Sequence, residues 1–74
     1  MKKLSELKIG EKGIIDSIDD SKTALVLMEL GCVPGEQVEM ENKAPFGDPI
    51  AINVAGYKLS LRTKEAEHVL IKEA

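Results

Sequence analysis

Apolar positions along the chain change period at a few punctuation points, and those changes predict its elements. Leu4 and Leu7 stand three residues apart, one helical turn, and Gly10 and Gly13 then supply a turn. Ile14, Ile15 and Ile18 form a β-branched run, but Ile15 breaks the alternation, which predicts a strand that is bulged or buried on both faces. Asp19-Asp20-Ser21 offers capping oxygens and negative charge to a following helix, expected from about Lys22 to Leu30. At helical spacing Ala24, Leu25, Leu27 and Met28 share the inward side, and Gly31 takes the left-handed position that ends many helices.

From Gly35 to Glu41 the pattern becomes alternating, with Val38 and Met40 inward and Gln37, Glu39 and Glu41 outward. Residues 42–49 carry Pro45, Gly47, Asp48 and Pro49, so they read as a loop with Phe46 at its tip. Ile50, Ile52 and Val54 share one face of a strand, and Tyr57, Leu59 and Leu61 one face of the next. The hairpin between them is expected to use a type I turn followed by a left-handed Gly56, because Ala55 resists positive φ. Thr63 is placed to cap a single helical turn, and Val69-Leu70-Ile71 makes a final strand. The expected fold is therefore mainly β: about five short strands closing into a small, partly open barrel, with one short helix inserted between strands 1 and 2. Closure would remove the sheet edges that a small antiparallel sheet otherwise exposes.

Length and charge narrow the function. Seventy-four residues, 1–74, are expected to form one domain, and a chain this short buries only about 60–65% of its unfolded surface. The 43% hydrophobic and 31% charged content belongs to a folded, soluble chain. Ten Lys and Arg against thirteen Asp and Glu give a net charge of −3 with no basic cluster, and one Phe and one Tyr leave almost no rings for base stacking. Nucleic acid is excluded on both counts. The longest uninterrupted apolar run, Ala24 to Met28, is far short of the roughly 20 residues that span a bilayer, so no membrane insertion is expected. A lone Cys32 and no apolar leader after Met1-Lys2-Lys3 point to a reducing, cytoplasmic compartment.

Searched for chemistry, the sequence yields no catalytic residues. It has no Gly-rich phosphate loop, and Asp19-Asp20 at the helix start repels phosphate. Asp19/Asp20 and Glu39/Glu41 lie in a turn and on an outward face, without the burial that acid–base work by a carboxyl requires. Cys32 and His68 would need carboxylates to complete a metal site, and no spaced ligand pair is present, so neither a metal site nor a cofactor is expected. A metal carrier or sensor using Cys32 and His68, or a generic small-barrel protein-interaction module, stands as the alternative function.

What remains is surface for a partner. Val26 falls roughly opposite the inward side of the helix, where a solvated helix carries Lys, Glu or Arg. With Leu30, and with Val33 and Pro34 in the exit turn, it forms a candidate apolar patch; Phe46 and Pro49 in the proline-flanked loop are further candidates. For Phe46 the competing reading is a ring folded back over the barrel mouth. Exposed apolar residues on a small barrel suit self-association as well as a partner.

Four motifs in register, Leu4-x-x-Leu7-x-x-Gly10, Met28-Glu29-Leu30-Gly31-x-Val33-Pro34-Gly35, Ala44-Pro45-x-Gly47-Asp48-Pro49 and Gly56-Tyr57-x-Leu59-x-Leu61-Arg62, resemble the FeoA family of the bacterial ferrous-iron uptake system. The resemblance covers nearly the whole chain. It implies an SH3-like barrel and a non-enzymatic accessory role: binding the cytoplasmic part of the FeoB-type transporter, which carries a GTP-binding domain, and modulating its assembly or GTPase activity. Related domains serve as interaction modules in iron- and manganese-dependent repressors, but no DNA-reading segment is present here. The family often carries a basic residue just before the position of Leu27; Val26 stands there in this chain, which favours an apolar contact.

Overall fold

The computed structural model describes residues 1–73. In chain order it comprises β1 (Lys2–Lys3), a 3₁₀ turn (Leu4–Glu6), β2 (Lys12–Ile18), α1 (Ser21–Glu29), β3 (Gln37–Lys43), β4 (Ile50–Val54), β5 (Tyr57–Leu61), α2 (Thr63–Ala66) and β6 (Val69–Lys72). The strands form one antiparallel sheet in the order β1-β6-β2-β3-β4-β5. There are six strands rather than five, because Lys2 and Lys3 pair with Ile71 and Leu70, a contact that two charged residues do not advertise in sequence. The sheet curls in an SH3-like way but does not close, leaving β1 and β5 as its edges.

Alternation decides which side chains meet. Val38 and Met40 of β3, and Ile50, Ile52 and Val54 of β4, are fully buried, together with Leu4 and Leu7 of the N-terminal arm. The irregular parity of β2 resolves as a bulge: its register against β6 shifts between Ile15 and Ser17, which bends the strand and buries Ile15. Gly13 is required by packing rather than by backbone angle, since a Cβ there would collide with the Ile71 side chain on the neighbouring strand. β3 runs two residues past the expected loop boundary, to Lys43, where a second register shift beside β4 keeps the pairing.

The β4–β5 hairpin differs from expectation. Val54 pairs directly with Tyr57, and both Ala55 (φ 51°) and Gly56 (φ 85°) are left-handed, the two-residue type I′ geometry. The right-handed twist of the strands favours this turn strongly enough to force alanine into a region its Cβ disfavours. Ala55→Asn is therefore expected to stabilise the protein by about 0.5–1 kcal/mol. Thermal melting checks this; a lowered melting temperature would contradict the strained-turn account.

α2 also departs in detail. Arg62, not Thr63, is its N-cap. Thr63 instead reaches across to the β3–β4 loop, donating its backbone N–H to Asp48 Oδ1 (2.8 Å) and its hydroxyl to the Gly47 carbonyl.

Candidate protein-interaction surface

α1 is built from its caps. Asp20 is the N-cap, and its Oδ2 accepts from the Thr23 N–H (2.9 Å) and the Thr23 hydroxyl (2.8 Å). The Thr23 N–H, then its hydroxyl, hold the Asp20 carboxyl below the usual carboxylate range. A depressed folded-state pKa means that this stabilisation is present above the ordinary carboxylate titration and is lost as pH falls through the lowered value. Between about pH 5 and pH 2, the wild type is expected to lose melting temperature faster than Asp20→Asn, which keeps a capping oxygen that does not titrate. Parallel curves would remove Asp20 from the acid response.

The exit is equally defined. Gly31 is left-handed (φ 102°), its N–H donates to the Met28 carbonyl (3.1 Å), and the Cys32 N–H donates to the Leu27 carbonyl (2.9 Å). This pair of bonds ends a helix when the residue beyond the glycine packs back on the last turn, and Cys32 and Leu27 are both fully buried. Gly35 N–H to the Ile15 carbonyl (2.8 Å) and Ile15 N–H to the Glu36 carbonyl (2.9 Å) then tie the exit segment to β2.

Between these ends the helix hides little. Leu27 is its one buried residue, Ala24 is half-buried, and the helix packs chiefly on β2. Leu25 is 68% exposed, Val26 51%, Leu30 46% and Met28 41%. Leu25 and Met28 therefore do not face inward as expected. The helix is turned so that Leu27, with Thr23 and Ala24, faces the sheet, and among the described residues no element covers either flank. A short helix with apolar residues on both flanks would ordinarily be enclosed; here the signal for Leu25 and Met28 was the hydrophobicity itself, assigned to the wrong side.

The candidate residues fall into two groups. Val26 and Leu30 sit one turn apart on one flank of α1, and half-buried Val33 and exposed Pro34 follow in the exit segment. Phe46 and Pro49 belong to the β3–β4 loop, at the other end of β3, which at seven residues spans about 20 Å. Phe46 is 98% exposed, so it does not fold back over the sheet. The bonds from Thr63 brace the loop that presents it.

Cys32 and His68 do not build a metal centre. Cys32 lies in the core, where burial pushes its thiol up, and His68 Nδ1 lies 2.7 Å from Asp19 Oδ1 on the surface. Among the described residues no three His, Cys, Asp or Glu side chains converge. No described helix is long and apolar enough to cross a membrane.

This sheet, its inserted α1 and the braced proline loop match a known family model, the FeoA domain, over residues 2–73. The chain belongs to the FeoA family. A FeoA-like protein from Clostridium acetobutylicum is 40% identical, with a TM-score of 0.88 over 99% of this chain and 90% of that one. The FeoA protein from Chlorobium tepidum is 37% identical, with a TM-score of 0.90 over 97% of this chain and 70% of that one. The zinc-complexed FeoA of Stenotrophomonas maltophilia, described as a procaryotic SH3 domain protein and a candidate ferrous iron transport activating factor, is 34% identical, with a TM-score of 0.85 over 97% and 91% of the two chains. A manganese-dependent transcriptional repressor shares the fold at 13% identity, with a TM-score of 0.88 over 99% of this chain and 41% of that one. No curated protein sequence matches. FeoA-family membership agrees with the SH3-like course of the sheet.

Proposed function

We propose that this protein is a non-enzymatic regulatory module of the cytoplasm that docks on the cytoplasmic part of a FeoB-type ferrous-iron transporter and modulates its assembly or GTP turnover. The observation that carries the reading is the apolar surface of α1: Leu25, Val26, Met28 and Leu30 stand in solvent while the helix is held to the sheet by Leu27. Exposing four large apolar side chains within the six residues from Leu25 to Leu30 costs solubility unless a partner covers them. Val33 and Pro34 extend this surface, and Phe46 and Pro49 form a second contact point across the sheet, one that a large partner reaches and a small one does not.

Membership of a ferrous-iron transport family supports the choice of partner. The test is co-purification of the detergent-solubilised transporter with this protein, followed by GTP turnover with and without it. Retention with altered turnover or altered transporter oligomerisation supports the reading; no retention overturns it.

A further inference from the structure

The open sheet leaves one edge strand of useful length. β5 pairs with β4 alone, and a two-residue turn fixes which of its backbone groups are used. The pair flanking such a turn, Val54 and Tyr57, exchanges hydrogen bonds, so Tyr57, Leu59 and Leu61 face β4. The N–H and C=O groups of Lys58 and Ser60 therefore point away from the sheet.

Two rows of side chains flank that edge. On one face stand exposed Tyr57 and half-buried Leu59; on the other stand Lys58, Ser60 and Arg62. The Arg62 side chain is largely exposed, and its Nη1 makes only a loose ion pair with Asp48 Oδ2 at 3.6 Å. Beside it an open hollow of about 260 Å³ is lined by Pro49, Ser60, Leu61, Arg62 and Glu65.

We propose that the β5 edge receives an extended peptide segment of alternating apolar and acidic residues, which adds a seventh strand to the sheet. Its backbone pairs with Lys58 and Ser60, its apolar row lies along Tyr57 and Leu59, and its carboxylates meet Lys58 and Arg62, one of them over the hollow. Edge addition draws affinity from main-chain bonds and specificity from alternate side chains, and both are provided here. A second copy of this chain fits less well. Antiparallel self-pairing with Lys58 opposite Ser60 would set Lys58 diagonal to Lys58 and Arg62 of the other copy, like charges on one face. This edge is separate from the α1 surface, so the inference stands or falls independently of the transporter.

The test uses the whole protein, isotopically labelled, titrated with a terminally blocked Val-Glu-Val-Glu-Val-Glu peptide and with a control of the same composition interrupted by proline. Saturable binding of the alternating peptide is expected, with amide exchange at Lys58 and Ser60 slowed about tenfold or more. Lys58→Glu is expected to weaken binding about five- to tenfold. Ser60→Pro removes an outward donor without breaking the β4 ladder and is expected to abolish protection at the edge. Because Lys58→Glu leaves every backbone group in place, a folding defect in Ser60→Pro does not decide the outcome. Equal binding of the interrupted peptide, protection elsewhere than β5, or concentration-dependent protection without peptide, the mark of a second copy, each overturns the proposal.

Discussion

Leu27→Ala is expected to destabilise the protein by about 3 kcal/mol, within the range for emptying a leucine site in a core. Leu27 is fully buried and is the one buried residue of α1, so its methyls are also the helix's anchor to the sheet. A domain of this size shifts its melting temperature by roughly 4–8 °C per kcal/mol, and its whole stability is only about 5–10 kcal/mol. The variant should therefore melt more than 10 °C lower. Leu25→Ala, two residues earlier and 68% exposed, should change stability by less than about 0.5 kcal/mol. Similar losses in the two variants would show that α1 is not held as described.

Val26→Asp is expected to act on binding instead. Val26 is 51% exposed, so a carboxylate there is solvated in the free protein, and melting should move by only a few degrees. In the transporter complex the same carboxylate would be enclosed among Leu30, Val33 and the partner's apolar atoms without a counter-charge. Burying an unpaired charge costs at least about 2 kcal/mol, so affinity should fall about 30-fold or more, read by co-purification or titration. Val26→Leu keeps the apolar contact and should bind normally. If a well-folded Val26→Asp variant retains full capture, the α1 surface is not the docking site.

Much of this fold was legible because its punctuation is local. Gly31 and Gly35 mark where α1 stops and its exit ends; the parity break at Ile15 marks the bulge; and the Leu4–Leu7 spacing gives the buried arm. The misreadings share a different origin. Ala55 is left-handed because the twist of two paired strands outweighs a single residue's preference, and β1 exists because Ile71 and Leu70 lie beside it, not because Lys2-Lys3 favours a strand. At the site, Val26 was distinguishable by its position, but Leu25 and Met28 were assigned to the core. Helical spacing tells which residues share a side and not which way that side faces, and only the packing of Leu27 on the sheet sets the rotation. The free edge of β5 was not legible, because the expectation of a partly open barrel does not say which strands are left at the opening.

The pairing of β1 with β6 has a topological consequence. Lys2 lies opposite Ile71, so the two ends of the folded segment leave the sheet side by side. Such a unit behaves like a cassette: it can be spliced into or onto a longer polypeptide at one point without rethreading its interior. The same fold as 41% of a repressor chain, at 13% identity, is what that portability allows. The scaffold travels intact, and helices and loops such as α1 and the Phe46 loop are left free to diverge with each new neighbour.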